Sequence, residues 1–293
     1  MAKTQYGQCA LCRQNKELQL SHIVPHFVGR KLIKTAIGNI RIANEPNKVA
    51  QDIEKHFMLC HDCEELFSAK EKWFADNIFS PRQDHNEIVF NYDASLTYFI
   101  ISLSWRSLYL DLEEFSTDSK FDQDTLMVML RAEQTMRDYL LGKCSSIGAI
   151  ENHIFFFDRI QSVKNIDISQ HPSVTMHRSI CSYTAYNGKT IFTVSNLLGI
   201  LIITFYSMDS DEQWSNTKVE LESGMIEAKN QKMVSVVGQE ILHWMKQAEE
   251  AKTKLSENQM KKINDRFLAI GEDVKKYPIF QDWLDEAGLE KEC

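Results

Sequence analysis

Two Cys-x-x-Cys pairs, Cys9-Ala10-Leu11-Cys12 and Cys60-His61-Asp62-Cys63, are the residues of this chain best suited to chemistry. Two intervening residues let both sulfurs of a turn point inward, and two such pairs complete the tetrahedral thiolate set that Zn2+ favours. Four protein ligands leave no open position, so an ion held there is structural. Its expected contribution is folding energy for a segment too small to hold itself together by burial. Cys144, Cys181 and Cys293 lack this spacing and read as ordinary thiols. The total of seven cysteines is odd and argues against a disulfide framework.

Forty-seven residues separate Cys12 from Cys60, and they contain Leu20-Ser21-His22-Ile23-Val24-Pro25. The second pair opens into a helical pattern through Leu59-Cys60-His61-Asp62-Cys63-Glu64. A histidine followed by Ile-Val-Pro between two cysteine pairs, with a helix beginning at the second, resembles the HNH endonucleases, the ββα-metal or His-Me finger group. The zinc-stapled members of that group share this order of parts. More narrowly, Ser21 to Phe27, Asn44-Glu45-Pro46-Asn47-Lys48, and Cys63 to Ser68 with Glu71 are similar to a divergent bacterial branch of HNH-like proteins. The resemblance covers about residues 6–80.

The resemblance implies a ββα-metal fold in which His22 is the general base that activates water against a phosphodiester. A neutral imidazole can accept that proton near neutral pH. It also implies one divalent cation on the following helix, Mg2+ or Mn2+, to stabilise charge on the phosphate and the leaving oxygen. Three positions depart from the family pattern. Ser21 stands where an Asp or His ligand usually precedes the base. Lys55, beside His56, stands at the usual place of the middle Asn, and Glu64 replaces the final His. A carboxylate is still a good ligand for a hard cation. At about 100° per residue, Glu64, Ser68 and Glu71 share one stripe beside the apolar arc of Leu66, Phe67, Trp73, Phe74 and Ile78. The expected site is therefore His22 as base and Glu64 as metal ligand, with Ser21, His56 and Glu71 as further members. His26 and His61 read as surface or packing residues, and Asn47 as a turn former.

Net charge sharpens the alternatives. The chain carries −8 overall, yet residues 1–50 hold eight basic side chains against Glu17 and Glu45, a balance of +6 that leaves −14 for the rest. A basic patch on one module is the footprint of phosphate binding. Arg30, Lys31 and Lys34 are the expected contacts to nucleic acid, with DNA the expected form. The reading from a different class is a degenerate zinc-stapled module that binds nucleic acid or a protein partner without cleaving anything. A role in a prokaryotic defence or mobile-element system rests on analogy alone.

The surrounding elements must position these groups. Phe27 to Ala36 reads as a short helix, Asn39 to Ala43 as a strand, Asn44 to Lys48 as a turn, and Asp62 to Phe79 as a helix stopped by Ser80-Pro81. This sets a zinc-stapled module at 1–82 and an α+β body at 87–293, joined by a polar linker. In the body, Leu96–Glu113 and Asp122–Leu141 read as helices, the first an amphipathic core helix. The body is expected to be of mixed helix and antiparallel-sheet architecture, with a β-rich segment at about 152–207 in which His153, Asp158 and His177 lie in strand patterns. Met233–Leu255 reads as a helix, and Ser256-Glu257-Asn258-Gln259 as a capping box opening another. The body supplies substrate choice, a protein partner contact or homo-oligomerisation. The run Leu197–Tyr206 is too short for a membrane-spanning helix and reads as a buried strand. No apolar signal core follows Met1, and a cytoplasmic protein without membrane contact is expected. No Gly-rich phosphate loop, G-x-S-x-G or H-E-x-x-H occurs.

Overall fold

The computed structural model describes residues 5–117, 122–157 and 173–286, and Asp158 lies outside them. It is a mixed α+β protein in which every strand pairing among the described residues is antiparallel. No described helix is long and apolar enough to cross a membrane.

The N-terminal part is built from β1 (Gln5–Gln8), β2 (Asn15–His22), α1 (His26–Thr35), β3 (Ile40–Ile42), β4 (Glu45–Ala50), β5 (Lys55–Cys60) and α2 (His61–Phe74). Strands β1, β2 and β5 form one sheet with β2 in the middle. Asn44–Lys48 is not a simple turn, because β3 and β4 pair as a hairpin in which Pro46 is buried. The helix after Cys60 also outruns its expected stop. A π-helical turn, Ala75–Phe79, follows α2, and α3 (Ser80–His85) carries Pro81 in its first turn. Proline has no N–H to donate, but in a first helical turn no intrahelical acceptor is lost. The chain leaves this helix at Asn86, which is left-handed at φ 57°.

The rest comprises β6 (Val89–Tyr92), α4 (Ala94–Phe115), α5 (Gln123–Leu140), β7 (Glu151–Phe156), α6 (Ser173–His177), β8 (Ile180–Asn187), β9 (Thr190–Leu197) and β10 (Ile200–Ser207). Short strands β11 (Gln213–Ser215), β12 (Lys218–Val219), β13 (Gly224–Glu227) and β14 (Lys232–Val234) precede α7 (Val237–Thr253), α8 (Glu257–Ile270) and α9 (Pro278–Glu286). The main sheet runs β12-β7-β10-β9-β8. Leu197–Tyr206 is split by a turn at Leu198-Gly199, where both residues have positive φ, the primed geometry that suits a tight hairpin. A Cβ on Gly199 would lie 2.4 Å from His177 Cδ2, so glycine is required there. His177 itself ends a helix rather than lying in a strand. Residues 233–234 belong to β14, so the expected helix begins later, at Val237. Ser256 caps α8 as expected, its Oγ accepting from the Gln259 N–H.

Helix α4 organises the molecule. Asp93 caps it by accepting from the Ser95 N–H at 2.7 Å. It is buried almost all round through Leu108 rather than amphipathic, because α2, α5 and the main sheet each cover a side. One continuous core joins Cys9, Leu11, Cys60 and Phe67 to Ile101, Trp105, Leu108, Met129 and Met136. The expected boundary near residue 82 is thus crossed by shared packing. At the C-terminal side, Asn47 grips the α7–α8 turn, donating to the Lys254 carbonyl and accepting from the Ser256 N–H, both at 2.8 Å.

Arg106 is the one arginine within α4, and it is 1% exposed. Its guanidinium donates to Glu71 Oε1 at 2.8 Å, to the His22 carbonyl at 2.8 Å and to the Ser102 carbonyl at 3.2 Å, with Phe67 against its face. A buried charge deprived of its partner is strongly destabilising. Glu71→Ala is therefore expected to cost about 3–5 kcal/mol in chemical denaturation. The double change Glu71→Met with Arg106→Met should recover much of that loss, since no unpaired charge remains. A loss under 1 kcal/mol for Glu71→Ala, the range of an exposed ion pair, would show the pair to be peripheral.

Candidate functional site

The four cysteines expected to bind metal come together. Cys9 and Cys12 lie on the turn between β1 and β2, which closes through Arg13 N–H to the Cys9 carbonyl at 2.9 Å, with Arg13 left-handed at φ 62°. Cys60 ends β5 and Cys63 lies in the first turn of α2, so the β2–β5 pairing Leu18 to Cys60 carries the second pair to the first. All four Sγ atoms lie within 4.8 Å of one another, and Cys12 and Cys60 are 3.9 Å apart. Ligands at ~2.3 Å around a tetrahedral ion would sit about 3.8 Å apart, so little contraction is needed. The hydrogen bond with Cys63 draws the Cys9 thiol down to about 4. That same bond, with burial, pushes Cys63 up. Such a cluster can hold a structural metal ion such as zinc.

The cluster is also fastened to the body. Arg13 lies over the Tyr109 ring and reaches Glu133 at 3.5 Å. Glu133, itself buried, accepts from the Trp105 indole at 3.0 Å and pairs with Arg137 at 3.2 Å.

Ser21 and Glu64 meet across β2 and α2, but in a closed place. Ser21 is 2% exposed, and its Oγ and Glu64 Oε1 are buried without a hydrogen-bond partner among the described residues. Burial pushes the Glu64 carboxyl up and Glu71 acts the same way, while the charge of Arg106 opposes them. Glu71 is committed to Arg106. A Mg2+ or Mn2+ ion asks for several oxygens in near-octahedral order and usually retains water. One buried carboxylate, one hydroxyl and one carboxylate already paired with a guanidinium do not fit that ion. A fixed positive charge from Arg106 stands there instead. His56 lies opposite Ser21 in the strand register, but its ring pairs with Glu54 at 2.9 Å and is 44% exposed.

His22 turns outward. Its Nε2 lies 3.1 Å from Asp52 Oδ2, and its ring stacks on His26 with centroids 4.9 Å apart. Asp52 also receives Lys55 Nζ at 2.7 Å and the Ile53 N–H at 2.9 Å. Burial raises the Asp52 carboxyl, but the bonds from Lys55, His22 and Ile53 outweigh it and hold the group well below the usual carboxylate range. His26 is lowered by partial burial and by the positive charges of His22, Arg30 and Lys55, with Asp52 opposing. Arg30 and Lys34 are exposed on α1, whereas Lys31 is bound to Asp84 across the module.

Sequence reasoning missed Asp52, Arg106 and the role of His26. Nothing in the spacing marks Asp52, which reaches His22 from a loop thirty residues away. Arg106 did carry a signal, because an arginine inside the apolar stretch Leu96–Leu110 must find a partner if that helix is buried. No family model, curated protein or solved structure matches the chain.

The thiolate cluster predicts about one zinc per chain in metal analysis of freshly purified protein. Cys60→Ser should lose that ion and open the N-terminal sheet, read as loss of amide protection in β1, β2 and β5. Full protection in metal-free protein would show that packing alone holds the cluster.

Proposed function

We propose that the N-terminal module is a zinc-stapled HNH-like unit that binds the phosphate backbone of nucleic acid, DNA being the expected form. We further propose that it does so without the one-cation hydrolysis which its resemblance implies at Glu64. The observation that carries this reading is the cationic face made by the exposed Arg30 and Lys34 on α1, bordered by Lys55 on β5, whose ammonium is paired with Asp52. Positions i and i+4 of a helix are neighbours on one face, so Arg30 and Lys34 stand together there, one turn beyond His26, with Asp52 the carboxylate beside that histidine. A polyanion gains affinity on such a face by releasing its condensed counterions. Lys31, tied to Asp84 and more deeply buried than Lys55, serves packing instead.

Zinc held by Cys9, Cys12, Cys60 and Cys63 supplies folding energy and keeps β2, β5 and α2 in the ββα order. Arg106 supports the non-cleaving reading, because its guanidinium lies where a hard cation beside Glu64 would be repelled. A second reading is hydrolysis with His22 as base. The His22–Asp52 contact at 3.1 Å favours it, since a carboxylate partner fixes the orientation of an imidazole.

Fluorescence anisotropy with labelled duplex and single-stranded DNA tests the binding claim. Replacing Arg30, Lys34 and Lys55 together with Ala should weaken binding and reduce the salt slope by roughly 2–3. Binding unchanged by the triple substitution overturns the assignment of this face.

Cleavage assays with Mg2+ or Mn2+ separate the two readings. No turnover is expected from the wild-type protein on DNA or RNA. Turnover that falls ~10²–10⁴-fold in His22→Ala, with zinc content and affinity retained, would establish the hydrolytic reading instead.

A further inference from the structure

We propose that His22, His26 and Asp52 form a second metal site, open to solvent and selective for a borderline divalent cation such as Zn2+, Co2+ or Ni2+. The three side chains offer ligand atoms that all lie within 4.8 Å of one another. They come from three elements whose ends are pinned together. His22 closes β2, His26 opens α1, and Asp52 lies in the loop before β5. Ile23, Val24 and Pro25, which link the two histidines, are buried, and the Ile23 N–H donates to the Glu54 carbonyl at 3.1 Å. The loop bearing Asp52 is thereby held against the end of β2.

The donor set selects the ion. Two imidazoles and one carboxylate suit first-row cations of intermediate softness, whereas Mg2+ and Ca2+ favour oxygen alone. Ligands at ~2.1 Å from a common centre stand about 3.4 Å apart. His22 Nε2 and Asp52 Oδ2 already stand 3.1 Å apart. The remaining adjustment falls on His26, the exposed member of the three. Its parallel stack on His22, at an interplanar angle of 9°, keeps the two rings together, and binding one ion requires His26 to turn out of that stack so that both nitrogens converge.

Lys55 is a competitor for this ion. Its ammonium sits 2.7 Å from the same Asp52 oxygen that His22 approaches, and it lies near the surface, so a divalent cation can displace it. Three protein ligands leave at least one position for water or for an oxygen of a phosphate. Arg30 lies close enough to His26 to act on it electrostatically, so an ion here would add an inner-sphere contact to a phosphate held by that arginine. The site is separate from the thiolate cluster and does not depend on nucleic-acid binding.

The test uses full-length protein with its thiolate zinc in place, titrated with Co2+ alone. Equilibrium dialysis followed by metal analysis should find a second equivalent bound per chain. The added cobalt should show weak visible bands without the intense thiolate charge transfer that cobalt at the cysteines would give. His26→Ala and Asp52→Asn should each abolish the second equivalent and leave the zinc untouched, whereas Lys55→Met should tighten it several-fold. His26 is exposed, so its replacement does not endanger folding. A wild-type chain that retains only its zinc at saturating Co2+ overturns the proposal. A second equivalent that persists in both His26→Ala and Asp52→Asn also overturns it, since that ion is bound adventitiously elsewhere.

Discussion

A guanidinium with 1% exposure constrains much of what surrounds it. Arg106 cannot shed its charge, and burying an ion without partners costs far more than folding can spare. It finds them on three elements: Glu71 on α2, the His22 carbonyl at the end of β2, and Ser102 one turn back on α4. Those bonds fix the angle at which the N-terminal helix and strand meet the body. They also decide which groups face water. With the His22 carbonyl turned inward to Arg106, the His22 ring emerges on the opposite side toward Asp52. Ser21 and Glu64 are left beneath, in the layer that the guanidinium occupies.

The thiolate cluster performs a matching task at the other end of β2. It joins the β1–β2 turn to the start of α2, and Arg13 carries that junction to Tyr109 and the buried Glu133. One ion-binding knot and one buried ion pair therefore clamp the same strand at its two ends. Residues 5–85 share a core with α4 and α5 for this reason, and the module does not stand apart as a bead on a linker. Loss of either clamp should be felt at His22, because that residue sits at the end of the strand that both hold.

What could be read from the sequence follows the range of the interactions involved. The cysteine pairs were legible because each is local, with two residues between thiols, and the chemistry of four sulfurs is specific. The capping box at Ser256 was legible for the same reason. The stop expected at Ser80-Pro81 does not occur, since the chain passes through a π-helical turn and Pro81 falls in the first turn of α3, where proline is tolerated. Asn44–Lys48 looked like a turn because Pro46 and two asparagines favour turns, yet the hairpin packs against α7 and α8, and Asn47 bonds to residues more than two hundred positions away. The candidate site was legible in part. His22, Ser21 and Glu64 were singled out and do lie near one another, but Asp52 and Arg106 join them through contacts 30 and 84 residues long that no local pattern encodes.

The distribution of charge completes the argument about function. A chain of net charge −8 repels a polyanion on average, so any approach must be steered to the part with the opposite sign. Within the first fifty residues, Lys16, Lys31 and Lys48 are paired with Asp62, Asp84 and Glu45, and Arg41 is turned inward to the Pro46 carbonyl and Gln259. The excess of +6 is thereby reduced in most directions and survives chiefly along the outer face of α1, where Arg30 and Lys34 follow His26. Lys55, from the adjoining strand, borders that face but is itself paired with Asp52. In 0.1 M salt the attraction of exposed charges fades beyond about 10 Å, so such a face acts on groups that come close to it. On the proposed reading, the acidic remainder of the molecule would leave an incoming phosphate backbone one favourable side, the outer face of α1 beside His22, His26 and Asp52.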